Sequence, residues 1–183
     1  MNIQETWTRL ERILESIDGA FNQLADAATD DALVKAEKVL EIELPRSFRE
    51  SYRIHDGTEG HLFIVGPYRL WPLSFIVEEN TRNKRNEIED LSSPSDQGKG
   101  GLIRDCIFSS GWTTFADDGG ASQLAIDLDP GPKGTTGQII ALYEDGAEYV
   151  ASNFASFLEG IVDDIESGTL KWEEMAGQYW DGR

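Results

Sequence analysis

The first fifty-five residues show apolar positions that recur with a helical period. The spacing that begins at Ile3 predicts an amphipathic helix ending near Asp18-Gly19. Thr29 is suited to cap a second helix, because the two aspartates that follow it favour the N-terminal dipole. Pro45 fits the first turn of a third helix, which Gly57 can close in a left-handed conformation. The predicted helices cover residues 3–18, 30–40 and 46–55.

After Gly57 the pattern changes to short apolar runs separated by turns. The runs His61–Val65 and Tyr68–Trp71 predict two strands, and Ser74–Leu91 predicts a helix with a very polar middle. A low-complexity loop over residues 92–101 follows. Asp-Gly pairs then mark tight hairpin turns, since glycine tolerates the positive φ that they need. The predicted antiparallel meander consists of Ile103–Ser109, Thr113–Phe115, Gln123–Asp127, Gln138–Tyr143 and Glu148–Val150.

The end of the sequence predicts one more helix and a tail. Ser152 or Asn153 can cap a helix whose apolar residues, from Phe154 to Ile165, share one side. Helices first, strands in the middle and a closing helix predict an α+β fold. In that fold a central antiparallel sheet is covered by the N-terminal helices and a C-terminal helix. We expect a single domain over residues 1–183, with 169–183 as a C-terminal tail.

Composition narrows the class of protein. Sixteen Lys and Arg against thirty-four Asp and Glu give a formal net charge of −18, which disfavours direct binding to nucleic acid or anionic membranes. Such a surface attracts a basic protein, although net charge by itself also serves solubility. The single Cys106 excludes an intramolecular disulfide, and we find neither a secretory signal nor a long apolar span. These features predict a soluble cytoplasmic protein.

Several local motifs share one family likeness. Leu44–Tyr52 opens a helix with Leu-Pro and runs into the turn His55-Asp56-Gly57. Phe115–Gly120 leads into a central hairpin, and Gly137–Ile140 followed by Ser152–Leu158 forms a closing strand and helix. Together these motifs resemble the SUKH superfamily, which includes the Smi/Knr-type yeast cell-wall regulators. The likeness extends from the first predicted helix to the last.

The resemblance implies a protein that binds another protein and is not an enzyme. Many bacterial members are similar to immunity proteins that neutralise a cognate toxin, often a nuclease, whereas the fungal members resemble interaction hubs in cell-wall signalling. Because nucleases that grip phosphates tend to be basic, the acidic composition favours the bacterial immunity type. A regulatory scaffold is the alternative hypothesis, and an uncharacterised hydrolase is a remote one.

The residues themselves carry few signs of chemistry. His55 and His61 lack a second strong metal ligand at suitable spacing, and Cys106 lies in an apolar pattern typical of a core residue. The acid pair Asp127 and Asp129 lacks the order of an EF-hand, and no phosphate-loop motif is present. We therefore predict no catalytic residues, no metal and no cofactor.

The predicted partner site combines turn acids with a tryptophan anchor. Acidic residues in the hairpin turns would steer a basic toxin domain onto the protein, and an exposed tryptophan would anchor it. The alternative for both tryptophans is burial in the core. The candidate residues are Asp117, Asp118, Asp129, Glu144 and Asp145, with Trp71 or Trp112 as the anchor.

Overall fold

The structure of the protein is a computed structural model that describes residues 2–85, 99–106, 108–120, 122–144 and 146–180. Three α-helices come first, a fourth separates the first strand of the central sheet from the other four strands, and a short hairpin follows the last helix. The helices are α1 (Ile3–Leu14), α2 (Asp30–Leu40), α3 (Arg46–Tyr52), α4 (Leu73–Arg85) and α5 (Phe154–Glu166). The strands are β1 (Arg69–Leu70), β2 (Trp112–Asp117), β3 (Gln123–Asp127), β4 (Gln138–Tyr143), β5 (Gly146–Ala151), β6 (Lys171–Glu173) and β7 (Gln178–Trp180).

Capping side chains define where the helices begin. The Thr29 side chain accepts a hydrogen bond from the backbone of Ala32, and Asn153 accepts one from Ser156. Each bond satisfies an N–H group that has no partner within its helix. The helix that follows Asn153 therefore starts at Phe154, which confirms this residue as one of the two predicted caps.

The central sheet is a five-stranded antiparallel meander in the order β1-β2-β3-β4-β5. Its helix-facing side carries Leu124, Ile126 and Ile139, which join the main core. Rings of Phe115 and Phe154 meet there with centroids 5.5 Å apart. A smaller core lies on the opposite side and includes Ile103, Trp112, Ala125 and Ile140. The α+β prediction, with helices packed on an antiparallel sheet, is confirmed.

Two predicted strands are wrong within the described residues. The run 61–65 forms isolated bridges, from Phe63 to Gln178 and from Val65 to Tyr68, because it has no neighbouring strand of its own length. The described part of 103–109 is irregular and covers the smaller core instead of pairing, while Ile107 lies outside the described residues. The end of the helix predicted over 74–91 also lies beyond them, since the description of this helix stops at Arg85.

The segment after α5 packs against the domain. β6 and β7 pair as an antiparallel hairpin, and the backbone N–H of Phe63 donates to the carbonyl of Gly177 at 2.9 Å. Leu170 and Tyr179 are buried in the main core. The described part of the predicted tail is thus an ordered hairpin docked on the irregular segment before β1. The extent of the single domain stays a prediction.

Candidate protein-binding site

The meander brings two predicted acidic turns to the same end of the sheet. In an antiparallel order, the β2–β3 and β4–β5 connections lie together, and the β3–β4 connection lies at the far end. The pairings Asp117–Gln123 and Gln123–Leu142 form one row across this end. We call the surface formed by Asp118, Tyr143 and Glu144, together with the Asp117 side chain beneath it, the turn end.

Asp117 is held inside a network and presents little charge to solvent. Both carboxylate oxygens accept from the Arg69 guanidinium at 3.1 Å, and one also accepts from the Trp71 indole. The backbone N–H of Gly119 donates to the other oxygen at 2.8 Å. Only 14% of the Asp117 side chain is exposed. This residue therefore joins β1 to β2 and supports the site without forming its surface.

Asp118 closes the β2–β3 turn and lies near Tyr68. One carboxylate oxygen accepts from the backbone N–H groups of Gly120 at 2.8 Å and Ser122 at 3.2 Å. Burial raises the pKa of Tyr68 to about 12, with smaller contributions from the nearby Tyr143 and Asp118. A partly buried phenol thus lies between the two turns, which brings Asp118 and Tyr143 into one neighbourhood.

Tyr143 and Glu144 form the accessible part of the turn end. Both are exposed, and Tyr143 is among the largest exposed apolar groups of the described chain. A tyrosine beside a carboxylate suits a partner that presents a cation next to an apolar surface. Asp145, the remaining predicted acid of this turn, lies outside the described residues.

Asp129 belongs to the opposite end of the sheet. Its carboxylate pairs with Arg104 and accepts a bond from Ser109 at 3.3 Å, while its backbone N–H donates to Asp127. It follows β3, whereas Glu144 follows β4, and the two turns lie a strand length apart. The predicted set of acids therefore does not form one surface.

The tryptophan anchors need correction. Trp71 and Trp112 are each 4% exposed, the first in the main core and the second in the smaller one. Trp71 packs edge-on against Phe75, and its indole N–H is directed to Asp117. Both side chains pack in the core, which was the alternative to a surface anchor. A partner at the surface would not meet them.

Two titratable groups outside the turn end, His55 and Asp127, have structural partners. His55 places Nε2 2.9 Å from Glu11 and Nδ1 2.9 Å from the carbonyl of Ala25, and its ring contacts Trp7. Burial raises the pKa of Asp127, which accepts from the Gln138 amide at 2.8 Å. Across the described ranges, no group of three His, Cys, Asp or Glu side chains is arranged to hold a metal ion.

Sequence analysis missed an apolar groove between α2 and α4. Asp56 lies at the groove, where its carboxylate accepts from the N–H of Leu73 at 2.8 Å and burial raises its pKa. The exposed Val39 beside it is a signal in the sequence, since it is an apolar residue on the polar side of α2. The groove has a volume of about 280 Å³ and is lined by Ala32, Lys35, Ala36, Val39, Asp56, Leu73, Ser74 and Val77.

The comparison with known families decides the affiliation of this chain. The model of the SMI1 / KNR4 family (SUKH-1) matches residues 27–160, which include α2 to α4, the whole five-stranded sheet and the first half of α5. The chain belongs to this family. The SUKH resemblance is confirmed, and both the turn end and the groove lie within the SUKH-1 region. Among the described residues, no helix is long and apolar enough to cross a membrane.

Curated relatives of this SUKH-1 chain carry regulatory names. It is 33% identical over 93% of its length to the cell wall biosynthesis/cell cycle regulator smi1 of Schizosaccharomyces pombe. It is 26% identical over 91% to a glucan synthesis regulatory protein of Neurospora crassa, and 25% identical over 87% to the cell wall assembly regulator SMI1 of Saccharomyces cerevisiae. The chain spans 37–39% of the length of these relatives.

Proposed function

We propose that this chain is a regulatory domain that binds another protein and performs no catalysis itself. The observation that carries the proposal is the likeness to proteins named as regulators of cell-wall assembly and glucan synthesis, over 87–93% of this chain. Most of the chain (87–93%) therefore corresponds to a part (37–39%) of each regulator. A part of this kind is suited to recruit a partner for the larger protein.

The turn end supports this proposal as a contact surface. Tyr143 and Glu144 are exposed side by side, and Asp117 and Asp118 hold the neighbouring turn in place through hydrogen bonds. A rigid surface loses little conformational freedom when a partner binds. We place this activity in the cytoplasm, with no direct contact to nucleic acid or membrane, because the net charge of −18 opposes both.

A second candidate function is that of an immunity protein that neutralises a basic toxin domain. The distribution of charge favours it. Between Lys133 and Lys171 the sequence has seven Asp and Glu residues and no Lys or Arg. This segment includes β4, β5 and α5; Asp163 and Glu166 of α5 pair with Arg9, and the remaining acids contribute a negative field. Such a field accelerates association with a cationic protein.

Affinity capture separates the two candidates. The tagged chain is incubated with native lysate, and bound proteins are eluted with a salt gradient. A partner that acts in cell-wall assembly and does not inhibit growth supports the regulatory function. A basic protein that leaves as salt rises, and that stops growth when expressed alone, would replace it with the immunity function. Recovery of no specific protein would count against both.

A charge reversal then tests the turn end. Glu144→Lys should slow association with the captured partner about threefold or more at low salt, and the difference should shrink at high salt. Glu15→Lys is the matched control, since this exposed residue at the end of α1 makes the same change of charge elsewhere. Equal association rates for the two variants would remove the turn end from the interface. Asp117 is unsuitable for this test, because its replacement breaks the Arg69 network.

A further inference from the structure

The two edges of the five-stranded sheet differ in how their backbone is covered. At the β1 edge, the backbone N–H and the hydroxyl of Thr58 both donate to the carbonyl of Leu70 at 2.9 Å. β1 itself is only two residues long and carries the charged Arg69. These features protect this edge from pairing with another chain.

Asn80 of α4 covers β2 where β1 has ended. Its side-chain oxygen accepts from the backbone N–H of Thr114 at 3.0 Å, and its amide donates to the carbonyl of Thr114 at 2.9 Å. The amide thus makes the same two bonds that a neighbouring strand would make. Together, Thr58 and Asn80 occupy three backbone groups of this edge, which are the carbonyl of Leu70 and both groups of Thr114.

β5 forms the other edge and is exposed along its middle. Among the described strands, β4 is its one pairing partner, and Glu148, Tyr149 and Val150 are exposed to solvent. Among the described residues, neither Ala147 nor Tyr149 makes a backbone hydrogen bond outside the sheet. β5 has six residues, which is an ordinary strand length and enough to template an added strand.

The register shows which groups of β5 are available. Tyr143 and Gly146 are directly paired with two residues between them, so they must form a hydrogen-bonded pair. Hydrogen-bonded and non-hydrogen-bonded pairs then alternate along the ladder. The backbone groups of Gly146 and Glu148 are directed to β4, and those of Ala147 and Tyr149 are directed outward. A bulge at Val150 ends this regular stretch.

We propose that β5 binds an extended, Lys- and Arg-containing segment of a protein partner by strand addition. Glu144 lies beside this edge, and the sequence between Lys133 and Lys171 contains no Lys or Arg that would repel a cationic segment. A second copy of the chain is a poor occupant, because each copy carries a net charge of −18 and would bring Glu148 against like charge. The inference rests on the proposed protein-binding function and names the surface that serves it.

The test uses the full chain and a synthetic probe. The probe is an eight-residue peptide of alternating lysine and valine, and its control is the same peptide N-methylated at every second residue. The control keeps the charge but cannot form the ladder. We expect the probe to bind at least about tenfold more tightly than the control, since two or more backbone hydrogen bonds are lost. Binding should also slow hydrogen exchange at Ala147 and Tyr149.

Variants distinguish strand addition from non-specific electrostatic attraction between the acidic protein and the cationic peptide. Glu144→Lys, at the exposed residue beside β5, should weaken binding of the probe about fivefold at low salt, whereas the control Glu15→Lys should leave it within about twofold. Equal binding of the two peptides, or probe binding without protection of β5, would overturn the inference.

The inference and the proposed function fail in different ways. A captured regulatory partner that leaves Ala147 and Tyr149 unprotected overturns strand addition while the function stands. Specific probe binding at β5, with no protein captured from lysate, supports the surface and counts against the function.

Discussion

Replacement of Asn80 is a direct test of how the β2 edge is held. Asn80 is 7% exposed, and its amide makes bonds of 3.0 and 2.9 Å to the backbone of Thr114 and a further bond of 2.8 Å to the carbonyl of Ile76. Asn80→Leu keeps a side chain of similar size but removes all of these bonds. The N–H and C=O of Thr114, which is itself buried, then lose their partners.

The expected loss of stability follows from those two groups. A buried backbone group left without a partner costs about 1–3 kcal/mol. Loss of both partners of Thr114 should therefore lower the free energy of unfolding by about 3 kcal/mol, after allowance for the stabilisation from burying the apolar leucine side chain. For a chain of 183 residues this is a decrease in Tm of about 6–12 °C. Urea unfolding should show a lower midpoint with an unchanged m-value.

Asn83→Leu is the matched control, because Asn83 is on the same helix and only half-buried. We expect it to change the free energy of unfolding by less than about 0.5 kcal/mol. If Asn80→Leu and Asn83→Leu unfold at the same urea concentration, the amide does not act as a substitute for a strand. The argument for two unequal sheet edges would then lose its support on the β1 side.

Two further predictions concern the turn after α3 and the C-terminal hairpin. Gly57 has φ +74, and a Cβ there would lie 2.6 Å from the backbone of Trp71, whereas Gly168 has φ +76 and open space. Gly57→Ala should therefore cost at least about 2 kcal/mol more than Gly168→Ala in urea unfolding, and equal costs would contradict the close approach. Burial raises the pKa of Tyr179 to about 12, so the native state holds this proton more tightly than the unfolded chain. That contribution to stability is complete below about pH 10 and is lost as the pH rises towards 12. The Tyr179 hydroxyl is buried without a hydrogen-bond partner among the described residues, so Tyr179→Phe should be at least as stable as the parent at pH 8 and lose less stability between pH 10 and 12. An unchanged alkaline profile for Tyr179→Phe would show that another group controls it.

Local signals predicted most of the regular elements. The strands Gln123–Asp127 and Gln138–Tyr143 have the predicted bounds, and Thr29 and Asn153 cap their helices as expected. Each of these elements depends on residues within a few positions of one another. A short apolar run or a capping oxygen therefore carries enough information in the sequence alone.

Apolar runs without a partner strand misled the prediction. Ile64 and Val65 are fully buried, yet their segment makes only isolated bridges. Ile103 is also buried but belongs to irregular chain over the smaller core. Burial and strand pairing produce the same apolar pattern, and the pattern cannot say whether a neighbouring strand exists.

The sequence by itself determined the acidic charge, the α+β class, the family likeness and the turns that carry carboxylates. Only the tertiary structure decided which acids remain available. Asp117 is paired with Arg69, forty-eight positions away, and Asp129 lies at the far end of the sheet. The tertiary structure also decided that Trp71 and Trp112 are buried and that the β5 edge is exposed. These properties depend on contacts between residues that are distant in the chain, and such contacts exist only after the elements have packed.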